Sequence, residues 1–318
     1  MNRYLIGRVA QALLVLWGAY TITYFILYML PGDTLSIMLS ASGLEADALS
    51  PEDLARARAY YGLDKGIFEQ YLDLLWRAVQ GDFGQSLSLN RPVAELLGER
   101  LPQTLALAGM AIALSLVGGV GLAYLTSYVR FAPLKVALAR LPSLGFSVPV
   151  FWMGLLLIQV FAFGLGWFPA TGSQGFDSLI LPAITLAIPS AAVYAQVLQR
   201  GFQGVWNEPY IATAYAKGLS RGQVQLRHGF KNAALPILTL IGLQVGNTVS
   251  GAVLVETIFA RSGVGRLAQE AVLRQDIPVV LGIVAVSAAA FVLVNLLVDL
   301  LYPCLDPRIT HTPKVSSP

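Results

Sequence analysis

The stretch QTLALAGMAIALSLVGGVGLAYLTSY, Gln103–Tyr128, holds no charged side chain. It exceeds the roughly 20 helical residues that cross a bilayer's hydrocarbon core. Comparable apolar stretches lie at about 9–30, 136–164, 179–199, 235–257 and 279–302, which makes six with 103–128. Only 12% of the chain is charged, against about 25% in soluble domains. Hydrophobic residues make up 56% of the 318, and mean hydropathy is +0.65. Too few polar side chains remain to cover a water-soluble globule, and the apolar ones are clustered in blocks of span length. The composition therefore predicts an all-α, polytopic membrane protein with six transmembrane helices.

Several function classes lose support on the same grounds. A net charge of +3 gives no reason to expect a nucleic-acid partner. Cys304 is the sole cysteine, and His228 and His311 are the only histidines, so neither a disulfide nor a metal cluster is expected. Arg3 and Arg8 precede the first apolar stretch, which is too long for a signal-peptide core. It reads as an uncleaved first span.

Lysine and arginine placement orients the spans. Arg3 and Arg8 mark the N-terminus, Arg130, Lys135 and Arg140 follow span two, and Arg200, Lys217, Arg221, Arg227 and Lys231 follow span four. The connection at 165–178 has no base and one acid, Asp177. These segments alternate, which puts both termini and the basic loops in the cytoplasm. Segment 31–102, with 11 acidic and 6 basic residues, falls outside. Loop 258–278, with Arg261, Arg266 and Arg274 against Glu270 and Asp276, departs mildly from the pattern.

The outer segment predicts helices. Ser50-Pro51-Glu52-Asp53 combines an N-cap, a proline at the first helical position and acids in the first turn, with Gly62 as the stop. A second helix is expected over about 67–80, ending before Gly81. Such a segment could simply shield the spans, or it could dock a soluble partner.

The basic loop after span four has its own punctuation. Asn207 is a candidate cap for a helix beginning with Glu208 and Pro209, propagated by the alanine-rich run 212–216. Gly218 supplies the left-handed stop. Ser220 then caps a second helix, with Gln223 three residues on completing a capping box. The product is a helix–glycine–helix elbow whose small side chains admit another backbone. An amphipathic connector with its bases at anionic headgroups would use the same residues, and spacing does not separate that from a knob gripped by a cytoplasmic motor.

The pattern Tyr210-Ile211-x-Thr213-Ala214-x-Ala216-Lys217-Gly218-Leu219-Ser220, then His228-x-x-Lys231-Asn232-Ala233-x-x-Pro236, resembles the EAA loop of binding-protein-dependent ABC importers. The resemblance is strongest to the B-type permease of the dipeptide, oligopeptide and nickel systems. It extends along the chain through Pro31-Gly32-Asp33, Tyr61-Gly62-Leu63-Asp64, Gly81-Asp82-Phe83-Gly84-x-Ser86, Pro92-Val93 and Arg100-Leu101-Pro102-x-Thr104-Leu105. Ser147-x-Pro149-x-Phe151, Trp167-Phe168-Pro169, Gly251-Ala252-Val253-x-Val255-Glu256-Thr257, Asn295-Leu296-Leu297-x-Asp299 and Asp306-Pro307-Arg308 continue it. Tyr215 stands where the family usually has arginine, Pro209 where it has aspartate, Lys231 where it has arginine, and Ala212 at the naming glutamate.

The resemblance implies a type I ABC importer permease fold in the bacterial inner membrane. Residues 1–30 would form the N-terminus and span one, 31–102 a small helical extracytoplasmic insertion, 103–302 the permease core, and 303–318 a cytoplasmic tail. Within the core, loop 200–234 would couple to the ATPase through Tyr210, Ile211, Ala212, Thr213, Ala214, Lys217, Gly218, Leu219, Ser220, His228 and Asn232. Partners implied are a second permease subunit, two ATPase subunits, an extracytoplasmic binding protein and membrane lipid. The cargo implied is a di- or oligopeptide, with nickel, opine, glutathione or another small solute as the alternative. No Gly-x-x-x-x-Gly-Lys-Ser/Thr loop occurs in the sequence. ATP and Mg would therefore sit on the partner subunits, and no cofactor or enzymatic activity is expected of this chain.

Polar residues within spans are candidates for the translocation pathway. Gln244, Asn247, Glu256 and Asn295 are the principal ones, with Gln159 and Gln196 similar, although each could equally be an interhelical hydrogen-bonder. Gly242, Gly246 and Ser250 form a small face suited to helix packing. Glu256 and Asp299 are expected near the membrane interfaces. A secondary transporter would call for mid-span carboxylates or broken helices in matching halves, and an intramembrane enzyme for a paired nucleophile and base. The sequence displays neither.

Overall fold

The computed structural model describes residues 2–29, 34–41, 50–60 and 63–305. Pro31-Gly32-Asp33, Gly62, Asp306-Pro307-Arg308 and His311 lie outside them, and so do the side chains of Asp299 and Cys304. The described elements are helical: α1 (Asn2–Tyr28), α2 (Thr34–Ala41), α3 (Pro51–Tyr60), α4 (Ile67–Val79), α5 (Val93–Tyr128), α6 (Ala132–Ser147) and α7 (Val150–Leu157). A π-helical turn, Ile158–Gly164, extends α7. Then come α8 (Asp177–Trp206), α9 (Pro209–Ala216), α10 (Arg221–Val224), a second π turn (Gln225–Phe230), α11 (Lys231–Ala233), α12 (Leu235–Ile258), α13 (Val264–Leu273) and α14 (Ile277–Leu305).

Four of these helices are long and apolar enough to cross a membrane, at Gly7–Tyr28, Val93–Tyr128, Asp177–Trp206 and Ile277–Leu296. Val9, Leu13, Leu14, Trp17, Ile22 and Ile26 of α1 are exposed. A water-soluble protein would bury such residues, whereas hydrocarbon covers them without cost. The 24-residue α12 measures about 36 Å at the 1.5 Å rise per residue, although Gln244, Asn247 and Glu256 interrupt its apolar run.

The expectation of one continuous third span is corrected. Ala132–Ser147 and Val150–Gly164 meet at a bend of 106°. Pro149 lacks an N–H and its ring forces the preceding residue out of helix, and Val148 accordingly sits at φ −102°, ψ 122°. Helix α5 starts at Val93, ten residues before the apolar stretch 103–128, and carries Pro102 within it, so the end of segment 31–102 is continuous with that helix.

Two compact units divide the chain, Met1–Gln103 with Ser262–Leu296, and Thr104–Arg261 with Leu297–Pro318. In the first, α3 begins as its residues dictate: the Asp53 amide donates to Ser50 Oγ (3.2 Å), with Pro51 opening the helix. Helix α4 ends at Val79 with Gln80 as its C-cap. Tyr24, Met38, Tyr71 and Leu281 form one apolar cluster, and Val93, Leu96, Leu267 and Val279 another. Asp276, fully buried, accepts from Ser86 Oγ (2.6 Å), Ser88 Oγ (2.8 Å) and the Ser88 amide (3.0 Å). One carboxylate thus ties the approach to α14 to the loop before α5. Helices α2 and α13 had no counterpart in the sequence reading; α13 begins after Gly263, which offers no side-chain cap.

The second unit is built around α8. Of its most apolar window 61% is buried, against 28% for α5, and it packs on α6, α7, α11 and α12. Toward one end of α8, Leu107, Leu181, Leu186, Val255 and Phe259 make a core. Toward the other, Tyr194, Leu198 and Phe202 gather Ile211, Ala214, Val224 and Ala233 into a second.

Candidate functional site

That second core is the seat of the elbow. Pro209 opens α9 at the first helical position, with Glu208 in extended conformation before it as the N-cap. The assignment of that role to Asn207 is corrected: Asn207 closes α8, and its Nδ2 donates to the Gln203 carbonyl (3.1 Å). Asparagine's short amide bonds nearby backbone in more than one local geometry, and here it bonds back into α8.

The stop falls where glycine allows it. Gly218 has φ +79°, its amide donates to the Tyr215 carbonyl (2.9 Å), and the Leu219 amide donates to Ala214 (3.3 Å). These paired bonds form a Schellman motif, which satisfies carbonyls that the helix end would orphan. Ser220 follows with both halves of the capping box, its amide donating to Gln223 Oε1 (2.9 Å) and its Oγ accepting from the Gln223 amide (3.4 Å). One glycine and one serine thus reverse the chain with its polar groups satisfied, which makes the elbow rigid.

Its residues separate by face. Ile211 and Ala214 are each 4% exposed and Val224 is fully buried. Burying an aliphatic side chain of this size contributes about 1.5–3 kcal/mol. Ala212, Thr213, Ala216, Lys217, Gly218 and Ser220 are exposed, as are Tyr210 and Tyr215, while Leu219 is half-buried. Thr213 Oγ1 bonds back to the Pro209 carbonyl (3.4 Å) and presents its methyl group instead of a free hydroxyl. Asn232 reaches across the elbow, its Nδ2 donating to Tyr210 Oη and to the His228 carbonyl, each at 3.0 Å. His228 thus contributes its backbone.

Three contacts to the end of α5 and a close approach to α8 fasten the elbow, and the sequence reading missed them. Arg221 donates to the Ser127 carbonyl (2.9 Å), with its guanidinium 5.8 Å from the Tyr128 ring centre. A cation there meets the negative end of the helix dipole and an otherwise unsatisfied carbonyl. Buried Gln225 donates to the Tyr124 carbonyl (2.9 Å), and Trp206 Nε1 to Ser127 Oγ (2.8 Å). Gly201 admits α11 against α8, since a Cβ there would meet the Ala233 carbonyl oxygen at 2.8 Å. A lone arginine after a capping serine carries no sequence signal for a partner 94 positions away.

Each principal pathway candidate holds a hydrogen bond within its own unit. Asn247 Nδ2 donates to Gln244 Oε1 (2.6 Å), one turn back on α12. Asn295 Nδ2 donates to the Phe291 carbonyl of its own helix (2.9 Å). Glu256, two residues from the end of α12, is fully buried and accepts from Thr104 Oγ1 (2.7 Å). Beside it Arg261, 2% exposed, donates to the Ser178 carbonyl (2.8 Å) and hydroxyl (3.2 Å). Burial pushes the Arg261 guanidinium below its ordinary range, and the Glu256 charge opposes that shift. This network joins α5, α8 and α12 within one unit. Gly251 of α12, off the Gly242-Gly246-Ser250 face, admits α8 closely, since a Cβ there would lie 3.0 Å from Leu186 Cδ2.

Residues 115–311 match the family model of the binding-protein-dependent transport system inner membrane component, and 1–108 match its N-terminal companion. A putative peptide transport system permease protein of Brucella abortus is 35% identical over 319 residues, covering 98% of this chain and all of the relative. The glutathione transport system permease protein of Escherichia coli K12 is 35% identical over 312 residues, with the same coverage. Among solved structures, an amino acid ABC transporter aligns with TM-score 0.52 at 20% identity, covering 66% of this chain and 94% of that one. An inward-facing methionine ABC transporter aligns with TM-score 0.55 at 14% identity, covering 66% and 96%. These likenesses carry the type I importer permease fold. This multi-pass chain therefore belongs to the binding-protein-dependent transport system inner membrane components, the permease subunits of ABC importers.

Proposed function

We propose that this subunit pairs with a second permease to form the pathway for di- and oligopeptides handed over by an extracytoplasmic binding protein, with ATP and Mg held on two partner ATPases. The elbow at 207–236 is the surface those ATPases grip, and both termini face the cytoplasm with it. One observation carries this reading: α9 and the turn after it are capped on both sides of Gly218 and sealed onto α8, yet offer a small-residue face flanked by Tyr210 and Tyr215. A rigid knob transmits a displacement that a loose loop would absorb. ATP binding then biases a two-state membrane element from one side while loaded binding protein biases it from the other.

The cargo reading draws on relatives named for peptide and for glutathione transport. Glutathione is itself a tripeptide, so both names lie within small-peptide chemistry. The deciding experiment is co-purification of the transporter in mild detergent, followed by ATPase assays with its binding protein. Stimulation by di- or tripeptides and not by nickel supports the reading, and recovery of no ATPase partner overturns it. A reporter fused after residue 232 is expected to read cytoplasmic, and an external reading overturns the orientation.

A further inference from the structure

Behind the elbow lies an open cavity of about 380 Å³, lined by residues of the α5 end, the start of α6, α8 and the elbow itself. Arg130, Lys135 and Arg221 bring three positive charges to it, Gln203, Trp206 and Tyr215 line it further, and no acidic side chain does. Among the described residues no carboxylate forms an ion pair with Arg130 or Lys135. Three cations around one cavity repel one another unless an anion sits between them. Trp206 and Arg221 are already fixed to Ser127, so the cavity is shaped in advance. Leu125, Tyr128, Phe131 and Leu134, all exposed, are interspersed in the chain with Arg130 and Lys135 at the end of α5, the start of α6 and the turn between them. A cationic cup adjoining an apolar ledge is complementary to a phosphate that carries acyl chains.

We propose that this cavity holds a phosphate-bearing anion, whose membrane source is the headgroup of an anionic phospholipid. Because Tyr215 and Arg221 belong to the elbow, occupancy braces the elbow from behind. That consequence rests on the coupling role, but the binding does not.

The test is native mass spectrometry of the full-length chain in its assembled transporter, delipidated and titrated with phosphatidylglycerol or with phosphatidylcholine. Wild type is expected to retain phosphatidylglycerol preferentially. The double variant R130Q/K135Q should lose that preference about tenfold, two cations being removed, with its melting profile kept. A parallel arm adds millimolar inorganic phosphate and follows thermal stability. Stabilisation by phosphate, lost in the double variant and without lipid preference, would assign the same site to a soluble phosphate. Absence of lipid preference together with absence of a phosphate effect overturns the proposal. Should the double variant fail to insert, Lys135→Gln alone, at an exposed position, carries the same comparison with a smaller loss. ATP turnover enters none of these readouts, so their failure is separate from failure of the coupling role.

Discussion

The Arg221 guanidinium donates to the Ser127 carbonyl at 2.9 Å, joining the elbow to the last turn of α5. Removing it with Arg221→Met leaves that carbonyl without its cation and loosens α10. A charge-assisted bond of this kind, partly buried, is worth about 1–2 kcal/mol. Amide exchange across Ile211–Ala216 should accelerate by about five- to thirtyfold. Arg221→Lys should fall between the two, since lysine keeps the charge without the planar fork.

Gly218 at φ +79° is intolerant of β-branching, because a left-handed residue with a branched Cβ costs about 1–3 kcal/mol. Gly218→Val is expected to insert normally but to uncouple ATP turnover from uptake, measured side by side in proteoliposomes. Unchanged transport would remove the coupling role from the elbow.

Glu256 and Thr104, 2.7 Å apart, share their buried network with Arg261. Glu256→Ala deprives the buried arginine of its nearby negative charge and is expected to cost about 3–5 kcal/mol. Glu256→Gln retains an acceptor for Thr104 and should cost less. Thermal unfolding in detergent ranks the two variants, and equal losses would show that the charge, absent from both, outweighs the acceptor that glutamine retains.

Asp82 accepts from the Gly84 amide (2.9 Å) and from Arg77 Nε (2.9 Å), and these donors hold its carboxyl below the usual carboxylate range. A depressed folded-state pKa stabilises above the unfolded value of about 3.9 and is lost as pH falls through the folded one. The side chain is 54% exposed, so screening limits the contribution to about 0.2–1 kcal/mol. Asp82→Asn should therefore lower stability slightly at neutral pH and converge with wild type as pH falls through the depressed folded-state pKa. Melting curves across that range check the sign.

The elbow was legible in residues 207–223 because its punctuation is local. A proline at the first turn, a glycine in the left-handed region and a serine three residues before glutamine each act within one helical turn. Membrane-spanning helices were legible because a bilayer demands long runs of apolar helix, visible without knowing what packs on them, and four of the described helices have that length and apolarity. The break at Val148-Pro149 sat in the same apolar run and was passed over, since hydropathy is blind to a missing N–H.

Local chemistry and composition determined the membrane class, the apolar stretches and the shape of the elbow at 207–223, all from interactions a few residues long. Tertiary structure alone decided what those parts touch. It set Arg221 on the end of α5, buried Glu256 beside Arg261, and grouped Arg130, Lys135 and Arg221 around one cavity. Partners separated by many tens of residues leave no periodicity or spacing in a single chain. Their meeting depends on how the helices pack.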